Sequence, residues 1–309
     1  MRTFNVILSA ILCCLCTVAR AERGCQQPLG EYGETVAEAA HVYLDSTSQW
    51  LHEKWRTNTM MIGVGHTDIL DTYLSPEKYR GFDLRLLSHT RRERLNSAWI
   101  SQMQHEGNFA YADSRSGNGG TMAGGYTFRY SLLHRWNVNV NRYSFRLMAG
   151  GAVAANGGFV YNTRNGNNPA NARLSVHLEP TVALDIPVGR PSHFRGISMS
   201  PGDCAHFPAI LRYEVSAPLA GLMFSPNYGQ SYYEIFTRGN YDRNCVPTTF
   251  CSTPSLRQML TVDFRLARVT WRIGYLGTVE QSHVNNLKTH AYTHSVVIGI
   301  VKRFRTVRM

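Results

Sequence analysis

Side chains that switch between apolar and polar at every second residue confine most of this chain to β-strands with two chemically opposite faces. The cleanest run is 172–188. Leu174, Val176, Leu178, Val182, Leu184 and Ile186 share one face, and Arg173, Ser175, His177, Glu179, Thr181 and Asp185 share the other, with Pro180 the only break. The pattern returns where Leu260, Val262, Phe264 and Leu266 oppose Thr261, Asp263 and Arg265. After a tight connection, Val269, Trp271, Ile273 and Tyr275 oppose Thr270, Arg272 and Gly274. Tyr126, Phe128, Tyr130 and Leu132 oppose Thr127, Arg129 and Ser131, and Tyr143, Phe145 and Leu147 oppose Ser144 and Arg146. Leu211, Tyr213 and Val215 oppose Arg212, Glu214 and Ser216; Phe82, Leu84 and Leu86 oppose Asp83 and Arg85, with Leu87 out of pattern. Residues 60–66 and 97–109 are weaker strands. The last strand, 288–304, places Tyr292, Val296, Ile298, Ile300 and Phe304 on one face, with His290 and His294 near its start.

The connections alternate in length. Those at 92–94, 137–142 and 267–268 are short, whereas 113–120, 156–171, 221–255 and 280–286 are longer and polar; 189–207 is long where a short one is expected. Short turns at one end and long loops at the other characterise bacterial outer-membrane barrels. The count is ten strands, or twelve if 221–255 holds its own hairpin.

The first residues are set aside from the fold. Arg2, the apolar run 6–18 and the Ala19-Arg20-Ala21 site form a secretory signal cut after Ala21. Removing 1–21 lowers the formal net charge from +11 to +9. Residues 22–56, with a helix-friendly stretch around Glu34–Ala40, are expected to form a short periplasmic segment, and 57–309 the barrel. No further stretch is apolar for the roughly 18 residues that a spanning helix needs, but a spanning strand needs only about 9–11.

A soluble β-sandwich also alternates, with its oily face turned inward. Two features favour the inverse arrangement, an antiparallel transmembrane barrel in the outer membrane of a Gram-negative cell. Tyr126, Tyr143, Tyr213, Trp271, Tyr275, Tyr292 and Phe304 lie on apolar faces near strand ends, as interfacial girdles require. The polar faces carry ions of both signs, which can pair inside a narrow lumen. The expected lumen charges are Asp83, Arg85, Arg129, Arg146, Arg173, His177, Glu179, Asp185, Arg212, Glu214, Asp263, Arg265 and Arg272.

Several longer segments carry a resemblance: Met61-Ile62-Gly63-Val64-Gly65 with Leu70-Asp71-Thr72-Tyr73-Leu74-Ser75-Pro76; 158–170; Pro218-Leu219-Ala220-Gly221 with 224–236; 254–260; Gly274-Tyr275-Leu276-Gly277; and Val284-Asn285-Asn286-Leu287-Lys288. Through them the chain resembles a family of exported Bacteroidetes proteins of unknown function, predicted to be outer-membrane barrels. The resemblance implies compartment and fold, and no catalytic assignment. Two departures stand out. Five residues, Arg305–Met309, follow the terminal aromatic Phe304, and Cys245 and Cys251 lie outside the family pattern.

Four cysteines remain after cleavage: Cys25, Cys204, Cys245 and Cys251. In an oxidising compartment Cys245 and Cys251 are the first candidates for a disulfide. No metal site is expected: the mature chain has no C-x-x-C, and a strand separates His290 from His294 by roughly 13 Å. No cofactor is implied. A lipase-like Ser–His pair would have to come from Ser175 with His177 or from Ser295 with His294, and neither has triad geometry on a strand. The Asn-rich loop is first a self-capping turn. Its sharper interpretation is a polar ligand site formed by Asn162, Arg164, Asn165, Asn167 and Asn168 with Gln230, Glu234, Asn285 and Lys288. The arginines are dispersed, which argues against nucleic acid.

The expected partners are outer-membrane lipids, the barrel-assembly machinery during insertion, and envelope proteins. The leading function is a non-enzymatic barrel, structural or accessory to an envelope assembly. The alternatives are a narrow pore or ligand-binding barrel for small polar solutes, and an outer-membrane lipid hydrolase.

Overall fold

The computed structural model describes residues 54–94, 97–140, 143–166, 168–188, 209–241, 243–266 and 269–306. The signal segment, residues 22–53, Cys25, Cys204, Asn167 and the connection 189–207 lie outside the described residues. The strands are β1 (Lys54–Asp71), β2 (Ser75–Arg94), β3 (Trp99–Ser114), β4 (Gly120–Val140), β5 (Tyr143–Asn162), β6 (Ala170–Val188), β7 (Ala209–Ser216), β8 (Ala220–Phe224), β9 (Cys245–Thr249), β10 (Leu256–Leu266), β11 (Val269–Val284) and β12 (Leu287–Thr306), with one short helix, α1 (Tyr232–Phe236).

Ten strands close a ring in the order β1-β2-β3-β4-β5-β6-β7-β10-β11-β12, and β12 pairs back onto β1. All pairings are antiparallel. β8 continues the path of β7 along β6 after an interruption at 217–219, and β9 pairs with β8. Both expected counts are thus present, as a closed ring of ten with a two-strand extension. Closure leaves the ring with no unpaired edge, which lipid contact demands.

The faces sort as the alternation predicts. Met60, Ile62, Val64, Phe82, Leu84, Leu86, Leu174, Val176, Val262, Ile273, Val296 and Ile298 point outward and are exposed, while the intervening polar residues are buried. Leu87, out of pattern in the sequence, points inward. It joins Met61, Met259, Leu276 and Val297 in an apolar patch, one of three that interleave with the buried charges. Aromatic rings cover glycines on the outer wall: Tyr275 lies over Gly277, and Phe159 over Gly124. Such coverage shields a backbone that has no side chain of its own.

Four expected boundaries need correction. Residues 92–94, 137–140, 156–162 and 280–284 belong to strands rather than connections. At these ends the strand pairing continues after the clear apolar–polar alternation has been interrupted by glycine and polar residues. The β11–β12 turn is then only Asn285-Asn286, with φ of 51° and 61°. Positive φ at both positions is the primed turn that suits a two-residue hairpin, and Asn tolerates it.

Candidate functional site in the ion-filled lumen

Inward-facing charges form two connected layers across the ring. Nearer the end where β1 starts, Arg272 donates to Asp263 from two nitrogens, Nε to Oδ1 at 2.5 Å and Nη2 to Oδ2 at 2.7 Å. Arg212 does the same to Asp185 (2.7 and 3.1 Å), and Arg91 adds a third donor to that carboxylate at 3.0 Å. Glu93 lies beside Arg91, Arg146 and Arg135. In the second layer Arg257 bridges Glu106 and Glu214, and Arg129 pairs with Glu179 at 2.8 Å and with Glu106. Arg85 donates to Asp83 at 2.6 Å and to Thr278 at 3.1 Å. Desolvated ions are tolerated only when paired in this way, because an isolated buried charge costs several kcal/mol.

The expected lumen set occupies inward positions, one of them at the open end of the barrel. Arg265 lies near the end of β10 and is exposed. Residues that the sequence reading missed complete the layers: His89, Arg91, Glu93, Gln104, Glu106 and Arg257. Residues 88–94 are polar on both faces, and β3 has a weakly apolar exterior, so no period marked them. The available signal was counting: every second residue along β2 beyond Asp83 and Arg85 had to face the same lumen.

Above the second layer lies a cavity of about 190 Å³, with Arg173, Ser175, His177, Asn108, Asn156 and Thr278 among its walls. Ser175 and His177 both face it, but no hydrogen bond joins them, and His177 Nδ1 is buried without a partner. His294 is exposed on the outer wall, where it hydrogen-bonds Tyr275 at 2.5 Å, while Ser295 is buried inside. Neither pair forms a nucleophile and base in contact. Among the described residues no cluster of His, Cys, Asp or Glu could hold a metal ion.

The loops opposite the Lys54 and Thr306 ends of β1 and β12 form a cap, and the proposed ligand set is part of its framework. Asn162 donates to Thr121 and accepts from Arg164 N–H; Asn165 donates to Leu74 O and accepts from Asn168 N–H. Arg164 pairs with Glu77 at 2.9 Å. Gln230 is held by the N–H of Asn227, by Asn240 O and by Asn244. Glu234 closes a capping box with Ser231 at the start of α1. Asn285 donates to Ser225 O and Arg243 O. The backbone of Lys288 exchanges hydrogen bonds with Thr72, while its side chain is exposed. These residues are brought to one end, but their polar atoms serve loop-to-loop bonds, not a shared opening.

Tyr73 and Tyr232 lock this cap. Their rings meet edge-on at 5.8 Å, Tyr73 donates to Gln230 O at 2.9 Å, and Tyr232 donates to Asn171 while accepting from Ala172 N–H. Burial, with Tyr232 and Asp71 nearby, pushes the Tyr73 phenol up to about 12, and burial raises Tyr232 too.

The Cys245–Cys251 disulfide is not formed; both thiols are free and exposed. Cys245 opens β9, and Cys251 lies in the turn that follows Thr249.

Fold and interior together define a closed ten-stranded antiparallel barrel with an apolar exterior and an ion-paired core. The chain belongs to the DUF3316 family, described as a protein of unknown function, whose model matches residues 10–309. No curated protein matches the chain. Among solved structures, it is similar to Neisserial surface protein A at 10% identity, covering 79% of this chain and 96% of that one with a TM-score of 0.29. The transport unit of the autotransporter AIDA-I from Escherichia coli matches at 7% identity, covering 82% and 90%, with a TM-score of 0.40. These likenesses are remote, and the fold assignment stands on the strand pairing itself.

Proposed function

We propose that this chain is an outer-membrane barrel that conducts nothing and serves as a structural or accessory component of an envelope assembly. The observation that carries this reading is the lumen: two layers of paired ions cross it beneath a hydrogen-bonded cap. The exterior supports a bilayer setting. On β1 the outward run from Asn58 to Asp68 encloses Met60, Ile62 and Val64. Asn58 and Asp68, the polar residues that flank Met60, Ile62, Val64 and His66 on this face, are ten residues apart; at about 3.3 Å rise and a tilt near 40° they bracket a height of about 25 Å, comparable to an outer-membrane apolar band. The signal-like start at 1–21 and the resemblance to exported Bacteroidetes barrels fit delivery to a Gram-negative outer membrane through the barrel-assembly machinery.

The test is purified full-length protein reconstituted in planar bilayers, alongside fractionation of the native host. The reading expects heat-modifiable, membrane-inserted protein with no discrete conductance. Stepwise channel currents, or recovery as a free soluble monomer, would reject it. A second reading, a barrel that holds a small polar solute, is favoured by the 190 Å³ cavity and the partnerless His177 Nδ1 in its wall.

A further inference from the structure

The outer surface carries an unbalanced basic patch at the end of the barrel opposite the loop cap. Lys54 and Arg56 on β1, Arg92 and Arg94 on β2, and Lys302 on β12 all occupy outward positions and are exposed. The register makes them neighbours. Arg56 lies directly opposite Arg92, Lys54 directly opposite Arg94, and Lys302 directly opposite Asn58. Among the described residues no carboxylate shares this face, since Glu93 points inward to Arg91 and Arg146, and none of the five cations forms an ion pair.

Like charges placed directly across two strands destabilise a sheet. Here two such pairs are stacked one above the other on the pair β1–β2. The patch also sits immediately beyond the apolar band, with Met60 the next outward residue after Asn58 on β1, and Ile300 the outward residue before Lys302 on β12. A side chain at that depth lies level with lipid headgroups rather than in bulk water, and long basic side chains extend from the band edge toward phosphates.

We propose that this patch is a binding site for the headgroup phosphates of anionic phospholipids in the leaflet nearest Lys54 and Lys302. The inference rests on the membrane reading above. A phosphate diester supplies the negative charge that the wall lacks, and its acyl chains continue along the Met60, Ile62 and Ile300 face. Guanidinium groups suit this ligand because their forked donors match phosphate oxygens. Each cation near an anionic headgroup strengthens attachment roughly fivefold, so reversing two of them removes at least about 25-fold.

The experiment uses the full-length protein inserted into vesicles of phosphatidylcholine containing a minor share of phosphatidylglycerol. Gentle detergent extraction follows, and the lipids that remain bound are weighed by mass spectrometry. Wild type is expected to retain phosphatidylglycerol well above its share of the vesicle. The Arg92→Glu/Arg94→Glu variant places carboxylates opposite Arg56 and Lys54, so it folds at least as well as wild type, yet should lose that enrichment. Saturating inorganic phosphate should leave the bound lipid in place. Absence of enrichment in wild type, retention by the variant, or release by inorganic phosphate would each overturn the lipid site while leaving the inserted barrel intact. Failure of wild type to insert in either phosphatidylcholine alone or the mixture overturns the membrane reading and this inference with it.

Discussion

Arg272 and Asp263 face each other across β10 and β11 through two parallel hydrogen bonds, both side chains almost wholly removed from solvent. Arg272 cannot lose Asp263 without leaving a bare charge in the lumen, whereas Asp263 also has Arg303 at 4.0 Å. Asp263→Ala should therefore lower unfolding stability by about 3–5 kcal/mol, whereas replacing both residues with Leu and Met should recover most of the loss. Chemical denaturation in detergent measures both, and a single variant as stable as wild type would contradict the ion-layer account.

The second layer makes a separate prediction about permeability. Arg129, Glu179, Glu106 and Arg257 together bar the cavity from the base of the barrel. Changing all four to Ser, with Glu214, the other partner of Arg257, changed to Gln, removes these charges without leaving a buried carboxylate unpaired and empties volume along the axis. Such a variant should show small ion currents in bilayers under conditions where wild type is silent. Silence in both would mean that the first layer alone seals the lumen.

The cap should loosen in alkali. The Tyr73 phenol ionises at about 12 in the folded protein against about 10 in an unfolded chain. A raised acidic group contributes stability that is complete below the unfolded value and disappears as pH climbs through the folded one. Proteolysis of 225–244 is thus expected to accelerate between about pH 10 and 12. Tyr73→Phe removes the bond to Gln230 O, costs about 1 kcal/mol at neutral pH, and flattens that pH response.

Close approach of backbones sets one glycine apart. A Cβ at Gly81 would lie 1.9 Å from the carbonyl oxygen of Tyr111 on the neighbouring strand, while at Gly107 it would meet nothing within 4 Å. Gly81→Ala should force β2 from β3 and destabilise by about 1–3 kcal/mol, with Gly107→Ala as a near-neutral control. Equal midpoints for the two variants in thermal melts would refute the contact.

Both Cys245 and Cys251 should react with a maleimide without prior reduction, since their thiols are free and exposed. Labelling that required a reductant would restore the disulfide expected from their spacing.

The faces of the strands were legible because a period of two depends only on backbone geometry. Spacing placed Leu174, Val262 and Ile273 opposite Glu179, Asp185 and Arg272; the aromatic strand ends and the mixed charges decided that the first set points outward and the second inward. What escaped was the sequence beyond the oily band. Residues 156–162 and 280–284 continue their strands where neither face is consistently apolar, and the glycines of the first together with the Asn-rich 162–168 beyond it suggested a loop. The ligand set drawn from Asn162 to Lys288 gathered at one end because these residues connect the loops there. Composition cannot distinguish a side chain that bonds a neighbouring turn from one that awaits a solute.

β1 and β12 meet over their whole length, from Lys54 against Thr306 to Asp71 against Thr289. These partners are the ones farthest apart along the chain, so the seam brings the largest loop-closure entropy of any pairing in the molecule. Assembly must be slow for a protein of this size, and every partly built intermediate exposes two open edges until its final strand arrives.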